Sequence, residues 1–544
     1  MPRTELARLL RCIAHDHQVA ETLGVAPSDV PAVRGEKPDL TRRSVLRIGA
    51  AGVGAAMFGT APRTARAADQ PRIAIVGAGI AGLTAALRLA DRGITSTVYE
   101  ADTRVGGRMF SNPAGAYWDA AQITEWGGEF IDSDHHLVRS LAARFGIALD
   151  DVRSAAPGGA TEAYYFSGDY YTYRQASIDF APVHRALRND QAKFSWPVAW
   201  NTDNSPHAIA LSNMSIHDWI DTRVPGGHSS RFGRLLDTAY TTEFGLDTRL
   251  SSALGIIGML GSQPSTGRFA LYGTSDARYH LRGGNQQLPV AMQAALPADT
   301  VHFGRRLVAL SVSSTGEQEL TFSVDGATRA ITADHTVLAL PLGVLKEIDF
   351  SCAGFDTRKH GSIDTMLMGQ NCKLALQFTT RLWNTRGLWG ISSGSTMSDT
   401  GYQTSWESTR DQPGEQGILV DYAGGSHAAD FTPDVPFCTA TDPQVVAYAQ
   451  SSLKQFETVF PGLTDRWNGK ATLAAWPRHP YTNGAYSTWP VGYAHHYAGY
   501  EGVRQGKVHF AGEHISLDYQ GYMEGAAESG RRAADEILAD LSIS

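Results

Sequence analysis

An α/β fold organised around a Rossmann-like dinucleotide-binding domain is what this 544-residue sequence predicts. Three observations carry the prediction. The run Ile73-Ala74-Ile75-Val76 is short, apolar and mostly β-branched, as a buried parallel strand is. Gly77, Gly79 and Gly82 follow it and open a stretch in which Leu83, Leu87 and Leu89 mark a helix. A second strand, Thr95 to Tyr99, then ends at the acidic Glu100.

Each part has a task in holding a dinucleotide. The first glycine permits a tight turn, the second lets backbone approach a pyrophosphate, and the third lets helix and strand pack closely. The phosphates then face the helix N-terminus. Glu100, placed about twenty residues beyond the glycines, accepts protons from ribose hydroxyls and disfavours a 2′-phosphate. The tail Gly106-Gly107-Arg108 is similar to the extension of flavoproteins in which FAD, not NAD, occupies this fold.

The length allows two or three domains with full cores. A formal charge of −8 and the lack of a long basic block argue against nucleic acid as a partner. The four cysteines, Cys12, Cys352, Cys372 and Cys438, form no CxxC pair and no disulfide framework. Thr41-Arg42-Arg43-Ser44-Val45-Leu46 is a twin-arginine signature, followed by a mild Gly/Ala-rich run from Ile48 to Thr60 and by Ala65-Arg66-Ala67. It predicts a leader over 1–67, read by the Tat machinery, with cleavage after Ala67 and a periplasmic or secreted destination for a chain exported folded. The run is too short and mild for a membrane span. Before it, Leu6, Leu9, Leu10 and Ile13 recur at helical spacing, as in a long n-region, a docking helix or a propeptide.

Further along, Trp126 to Ile131 reads as a strand reached through a glycine pair, and residues 150–280 turn aromatic-rich, with a helix at Arg231 to Tyr240. Dinucleotide-domain texture returns near 280. There Leu281 to Asn285 leads into a helix, His302 to Leu310 reads as a strand, and His335 to Pro341 as a buried strand ending in a turn. Asn371 to Phe378 and Gly417 to Tyr422 are strand candidates between, and Val508 to Glu513 is a strand running into a Gly-Glu turn. A helix from about Gly525 to Leu541, with Ala526, Ala527, Gly530 and Ala533 on a small-residue face, closes the chain.

Phe510-Ala511-Gly512-Glu513, followed by Gly521-Tyr522-Met523-Glu524-Gly525-Ala526, resembles the flavin-containing amine oxidases, a family of monoamine, polyamine and L-amino acid oxidases. Residues 72–108, Arg282-Gly283-Gly284, Leu340 to Lys346 and 508–538 all fall in family order. The resemblance implies a Rossmann-like FAD-binding domain assembled from 68–130, 280–345 and 485–544, and an α+β substrate-binding domain from 131–279 and 346–484. It implies FAD contacts at Gly77, Gly79, Gly82, Glu100, Gly107, Arg108, Val308, Gly512, Glu513, Gly521 and Tyr522. Tyr486 and Tyr522 correspond to an aromatic cage over the flavin, and Lys373, preferred to Lys346, to the lysine that holds a water against flavin N5. By pattern alone Lys373 is a solvated residue on a strand whose apolar face carries Cys372, Leu374, Leu376 and Phe378.

Ala485 stands where monoamine oxidases attach FAD through cysteine, so the expected flavin is non-covalent. The arginine that many L-amino acid oxidases carry after the fingerprint is missing from Gly128-Glu129-Phe130-Ile131-Asp132. Phe130 and Asp132 are instead expected to face substrate, in an acidic mouth that attracts cationic amines. Arg478 is an alternative source of a carboxylate anchor. The reading is an exported FAD-dependent amine oxidase that converts a primary amine or polyamine to an imine, with O2 reduced to H2O2. An L-amino acid oxidase, or an amine dehydrogenase that does not use O2, is the alternative. No metal is expected, and a homodimer is possible.

Overall fold

The computed structural model describes residues 71–202, 204–263 and 269–543. Ile73–Val76 is a strand with all four side chains buried, at the centre of a five-stranded sheet. The order is Val508–Phe510, His335–Leu338, Ile73–Val76, Thr97–Tyr99, Val301–His302, and every adjacent pair is parallel. Ile75 lies opposite Val98 on one side and Val337 on the other, the dense aliphatic register of a sheet covered on both faces. The twin-arginine segment and everything expected of 1–67 lie outside the described residues.

The fingerprint helix, Ile80–Ala90, packs against the terminal helix Met523–Asp540. The small-residue face read from the sequence is what lets them approach. Ala526, Ala527, Ala533 and Ala534 are buried in one cluster with Ala81, Ala85 and Leu89, and Arg88 closes the contact on Asp535 at 2.7 Å. A side chain at Gly530 would be driven into the Ala81 carbonyl.

A second, eight-stranded sheet runs in the order Phe437–Thr439, Trp467–Ala475, Asn371–Phe378, Gly417–Gly424, Thr404–Glu407, Ser392–Ser398, Thr161–Phe166, Asp169–Tyr171. Asn371–Phe378 is an inner strand, antiparallel to both neighbours, and all eight of its residues are buried. One face, with Cys372, Leu374, Leu376 and Phe378, packs against Val445, Ala449, Leu453 and Phe456 of the helix Pro443–Val459. On the other, Ala375 packs with Trp118, Ile418 and Val420. The period-two pattern thus identified the strand but not the exposure of Lys373, because both faces are covered. Among the described residues no helix is long and apolar enough to cross a membrane.

Two strand expectations are corrected. Trp126 to Ile131 has no ladder beyond an isolated bridge from Ile131 to Tyr279, because Gly127 and Gly128 donate their N–H groups to the Phe110 and Arg108 carbonyls. His302 to Leu310 is two strands, Val301–His302 in the parallel sheet and Arg306–Val312 in a separate antiparallel one. The helix expected at Arg231–Tyr240 runs on to Phe244, capped by the Ser230 side chain and ended by left-handed Gly245.

Gly530→Val should separate the two helices and cost roughly 1–3 kcal/mol. Thermal unfolding checks this, and an unchanged midpoint would show that the close approach is not required.

Candidate active site

The three glycines of the fingerprint take distinct roles. Gly77 has φ +105°, and a Cβ there would meet the Ala339 carbonyl oxygen at 2.5 Å, while one on Gly82 would strike the Gly77 carbonyl. Beyond the Cβ position of Gly79 there is open space. Gly79 begins the helix Ile80–Ala90, whose N-terminus has no side-chain cap and no acid in its first turn. It is therefore a helix end open to an anion. Gly106 and Gly107 lie alongside, with the Gly106 N–H on the Ala78 carbonyl at 2.9 Å. Glu100 accepts the Ala78 N–H at 2.7 Å and the Asp102 N–H at 2.8 Å, which leaves each oxygen a lone pair for a hydroxyl. Burial raises its pKa. Val308 falls at the bulge between Leu307 and Ala309, outside the ladder to the next strand, with its carbonyl accepting the Asp349 N–H at 3.0 Å.

Glu513, 4% exposed, joins four parts of the chain. Its Oε1 accepts Arg108 Nη1 at 2.8 Å and the Ser487 N–H at 3.0 Å, and its Oε2 accepts Ser487 Oγ at 2.6 Å and the Gly521 N–H at 3.0 Å. Burial would raise its pKa, but the Arg108 guanidinium and these donors win and hold it low. Arg108 also donates to the Ala485 carbonyl at 2.9 Å. The carboxylate expected to touch cofactor is therefore a tie among Arg108, the Tyr486 segment and the Tyr522 segment, with its hydrogen bonds made to protein. Gly512, φ +141°, precedes it with its N–H on Ser529 Oγ at 2.8 Å.

Tyr486 and Tyr522 are brought together. The Tyr486 ring covers Gly521, whose Cβ position lies 3.7 Å from Cδ2. Tyr486 OH donates to the Thr242 carbonyl at 3.0 Å, and Tyr522 OH donates to Glu243 Oε1 at 3.2 Å. Both phenols are thus anchored on consecutive residues in the last turn of the helix Arg231–Phe244. Because the Tyr486 proton is used, Tyr422 OH donates to Tyr486 at 2.9 Å. The wall continues through Trp406, 5.0 Å from the Tyr422 ring, to Phe130, 5.6 Å from Trp406. Burial, then Tyr422 and Glu243, pushes the Tyr486 phenol well up, and burial, then Glu243 and Asp132, does the same for Tyr522, so both stay neutral.

Asp132 does not form an acidic mouth. It is 1% exposed, and its oxygens accept Ser275 Oγ and the Ala277 N–H, both at 2.7 Å. Burial raises its pKa to about 6. It braces the 275–277 turn and acts on the Tyr522 phenol from there; the acid bonded directly to that phenol is Glu243, which sequence reasoning missed. Glu243 follows Thr242 in a helical stretch with no motif around it, so no signal marked it. Arg478 is exposed, in the turn Trp476–Arg478.

Lys373 points toward the Gly127–Glu129 segment. Its Nζ donates to the Gly127 carbonyl at 2.6 Å and to Glu129 Oε2 at 2.9 Å, and lies 5.3 Å from the Trp406 ring centre. Gly128, next in chain, has its Cβ position 3.4 Å from Met523 Sδ, which brings this lysine to the neighbourhood of Tyr522. Lys346, exposed, spends its ammonium on the Asp364 and Met366 carbonyls.

Residues 80–538 match the model of a family described as flavin containing amine oxidoreductase. The chain belongs to that family. It is 23% identical over 496 residues to a flavin-containing amine oxidase of Danio rerio, covering 87% of this chain and 86% of the relative. It is 26% identical over 498 residues to polyamine oxidase 7 of Oryza sativa, covering 86% and 95%, and 22% identical over 499 residues to a putative L-amino-acid oxidase of Bacillus subtilis, covering 87% and 95%. Among solved structures, cyclohexylamine oxidase from Brevibacterium oxydans superposes with a TM-score of 0.71 at 22% identity, over 87% of this chain and all of that one. Putrescine oxidase bound to putrescine superposes with 0.69 at 21%, over 86% and 99%.

This flavin-containing amine oxidoreductase is an FAD-dependent enzyme acting on CH–NH2 groups. The uncapped helix end at Gly79 and the half-buried Glu100 fit a pyrophosphate and a ribose. When bound, FAD supplies the electron acceptor.

Glu513→Ala should strand the Arg108 guanidinium and cost about 3–5 kcal/mol. We expect lower FAD retention and a lower thermal midpoint, whereas Glu513→Gln, which loses the charge but keeps an acceptor oxygen, retains part of both; equal loss in the two variants would mean that the hydrogen bonds contribute nothing beyond the charge.

Proposed function

We propose that this protein oxidises a cationic amine, a primary amine or a polyamine, to an imine that hydrolyses, with O2 reduced to H2O2, on a non-covalent FAD. The observation that carries the substrate class is Glu243, a carboxylate set on the hydroxyl of Tyr522 and close enough to raise the pKa values of Tyr240, Tyr272, Tyr422 and Tyr486. A carboxylate walled by neutral phenols attracts an ammonium and repels a carboxylate. The low-dielectric aromatic walls favour the neutral form of the amine that reacts, so proton loss on entry is assisted without a dedicated base. Tyr486 and Tyr522 orient the reacting carbon, and Lys373 holds the proton-donating position opposite them. Ala485, which offers no sulfur for attachment, supports non-covalent flavin.

The domain division at 131, 280, 346 and 485 and export of the folded chain by the Tat route are part of the same proposal. Homodimer formation is also part of it. An amino acid substrate is the second reading, and one observation favours it. Arg410 is partly buried, bonds only to the Glu407 and Val152 carbonyls at 3.4 and 3.5 Å, and has no carboxylate within ion-pair distance among the described residues.

A peroxide-coupled screen of diamines, monoamines and L-amino acids decides the class. Glu243→Gln should raise KM for diamines roughly tenfold or more, the worth of a charge-assisted hydrogen bond, and leave alkyl monoamines nearly unchanged. Oxidation of L-amino acids alone, lost in Arg410→Met, would replace the amine reading. Lys373→Met should keep FAD content and slow turnover; apoprotein would make the lysine structural.

A further inference from the structure

Lys373 is paired with a buried acid, Glu129. Glu129 is buried and keeps a low pKa against the burial that would raise it, because the Lys373 ammonium lies 2.9 Å away. Its other oxygen accepts Ser408 Oγ at 2.6 Å and lies 3.8 Å from His280 Nε2. Two of the three Lys373 donors are used by Gly127 and Glu129, which leaves one for the reaction.

His280 and Ser408, both next to Glu129, open onto a cavity of about 180 Å³, large enough for water. Glu125, His280 and Ser408 line it, and its rim carries the exposed Arg282, Asp411 and Pro413. His280 Nε2 is buried with no hydrogen-bond partner. Burial lowers the His280 pKa to about 4, so the ring is a neutral relay and not a trapped charge, and burial raises Glu125 to about 8, so that carboxyl is protonated at neutral pH. Arg410 and Asp150 are the remaining charged groups that act on His280.

We propose that this cavity is the proton-entry route of the active site, with His280 and Glu129 passing protons from solvent to Lys373. The inference rests on the oxygen-using reading. Reduction of O2 to H2O2 takes two electrons and two protons. The substrate αC–H supplies both electrons and one proton as a hydride equivalent, leaving an iminium; the second proton is taken from solvent, and the iminium returns one to solvent as it becomes the imine and hydrolyses. Lys373 donates that proton, and a proton arriving through the cavity by way of His280 and Glu129 restores its charge. Glu129 is thus a positioning residue that also supplies the counter-charge of the ammonium.

The test uses purified holoenzyme, reduced anaerobically by substrate and mixed with oxygenated buffer in H2O or D2O, with the absorbance of the resting flavin titrated against pH. In Glu129→Gln and in His280→Gln, reoxidation should slow roughly tenfold to a hundredfold with a larger solvent isotope effect, while reduction by substrate is unchanged. Only Glu129→Gln should add a pH-dependent change to the resting flavin spectrum, since it alone removes the counter-charge of Lys373. Ser408→Ala, which removes one donor to Glu129, replaces Glu129→Gln if that variant does not fold. Wild-type reoxidation in either variant overturns the route. Failure of the wild type itself to react with oxygen sinks the oxidase reading instead, and the spectral titration then stands alone: without a transition in Glu129→Gln, the coupling is wrong.

Discussion

The buried Glu513 carboxylate is the interaction on which the site depends. Its strand ends the parallel sheet, and its four acceptor contacts reach Arg108 after the fingerprint, Ser487 beside Tyr486 and Gly521 beside Tyr522. A charge that deep is stable only when fully paired, so the pairing makes the position of one segment the position of all. The glycine fingerprint and both tyrosines therefore share one reference point, although they are far apart in sequence.

A second constraint acts from the opposite side. The last turn of the helix Arg231–Phe244 offers a carbonyl at Thr242 and a carboxylate at Glu243, and each receives one of the two phenols. Half-buried phenols without partners would cost free energy, so this helix end fixes both rings by satisfying them. The same arrangement places a negative charge beside the rings, which connects ring orientation to substrate preference. Lys373 approaches from the inner strand of the second sheet, with its charge balanced by Glu129.

The fold was largely legible. The β-branched run at 73–76, the glycines and the acid at 100 are local, since each acts on a neighbour within one turn or strand, and the small-residue helix near the C-terminus could be read by its spacing. Strand limits failed where backbone partners were remote. Gly127 and Gly128 bond to Phe110 and Arg108, and the 302–310 segment divides between two sheets, neither of which a local pattern records. Lys373 shows the same limit in its environment. An alternating pattern reports one apolar face, and only the packing of the second sheet revealed that the other face is covered as well.

The sequence by itself determined the cofactor class and the family, because phosphate and ribose are recognised by short contiguous segments whose geometry is set by glycine conformation and helix ends. Tyr486, Tyr522 and Lys373 entered as expectations through resemblance to the family. The tertiary structure decided which acid stands beside them. Asp132 is nearer the fingerprint but is consumed by Ser275 and Ala277, whereas Glu243 comes from a helix without a motif and meets Tyr522 across 279 residues. Charge acts through space, and its neighbours are chosen by the fold.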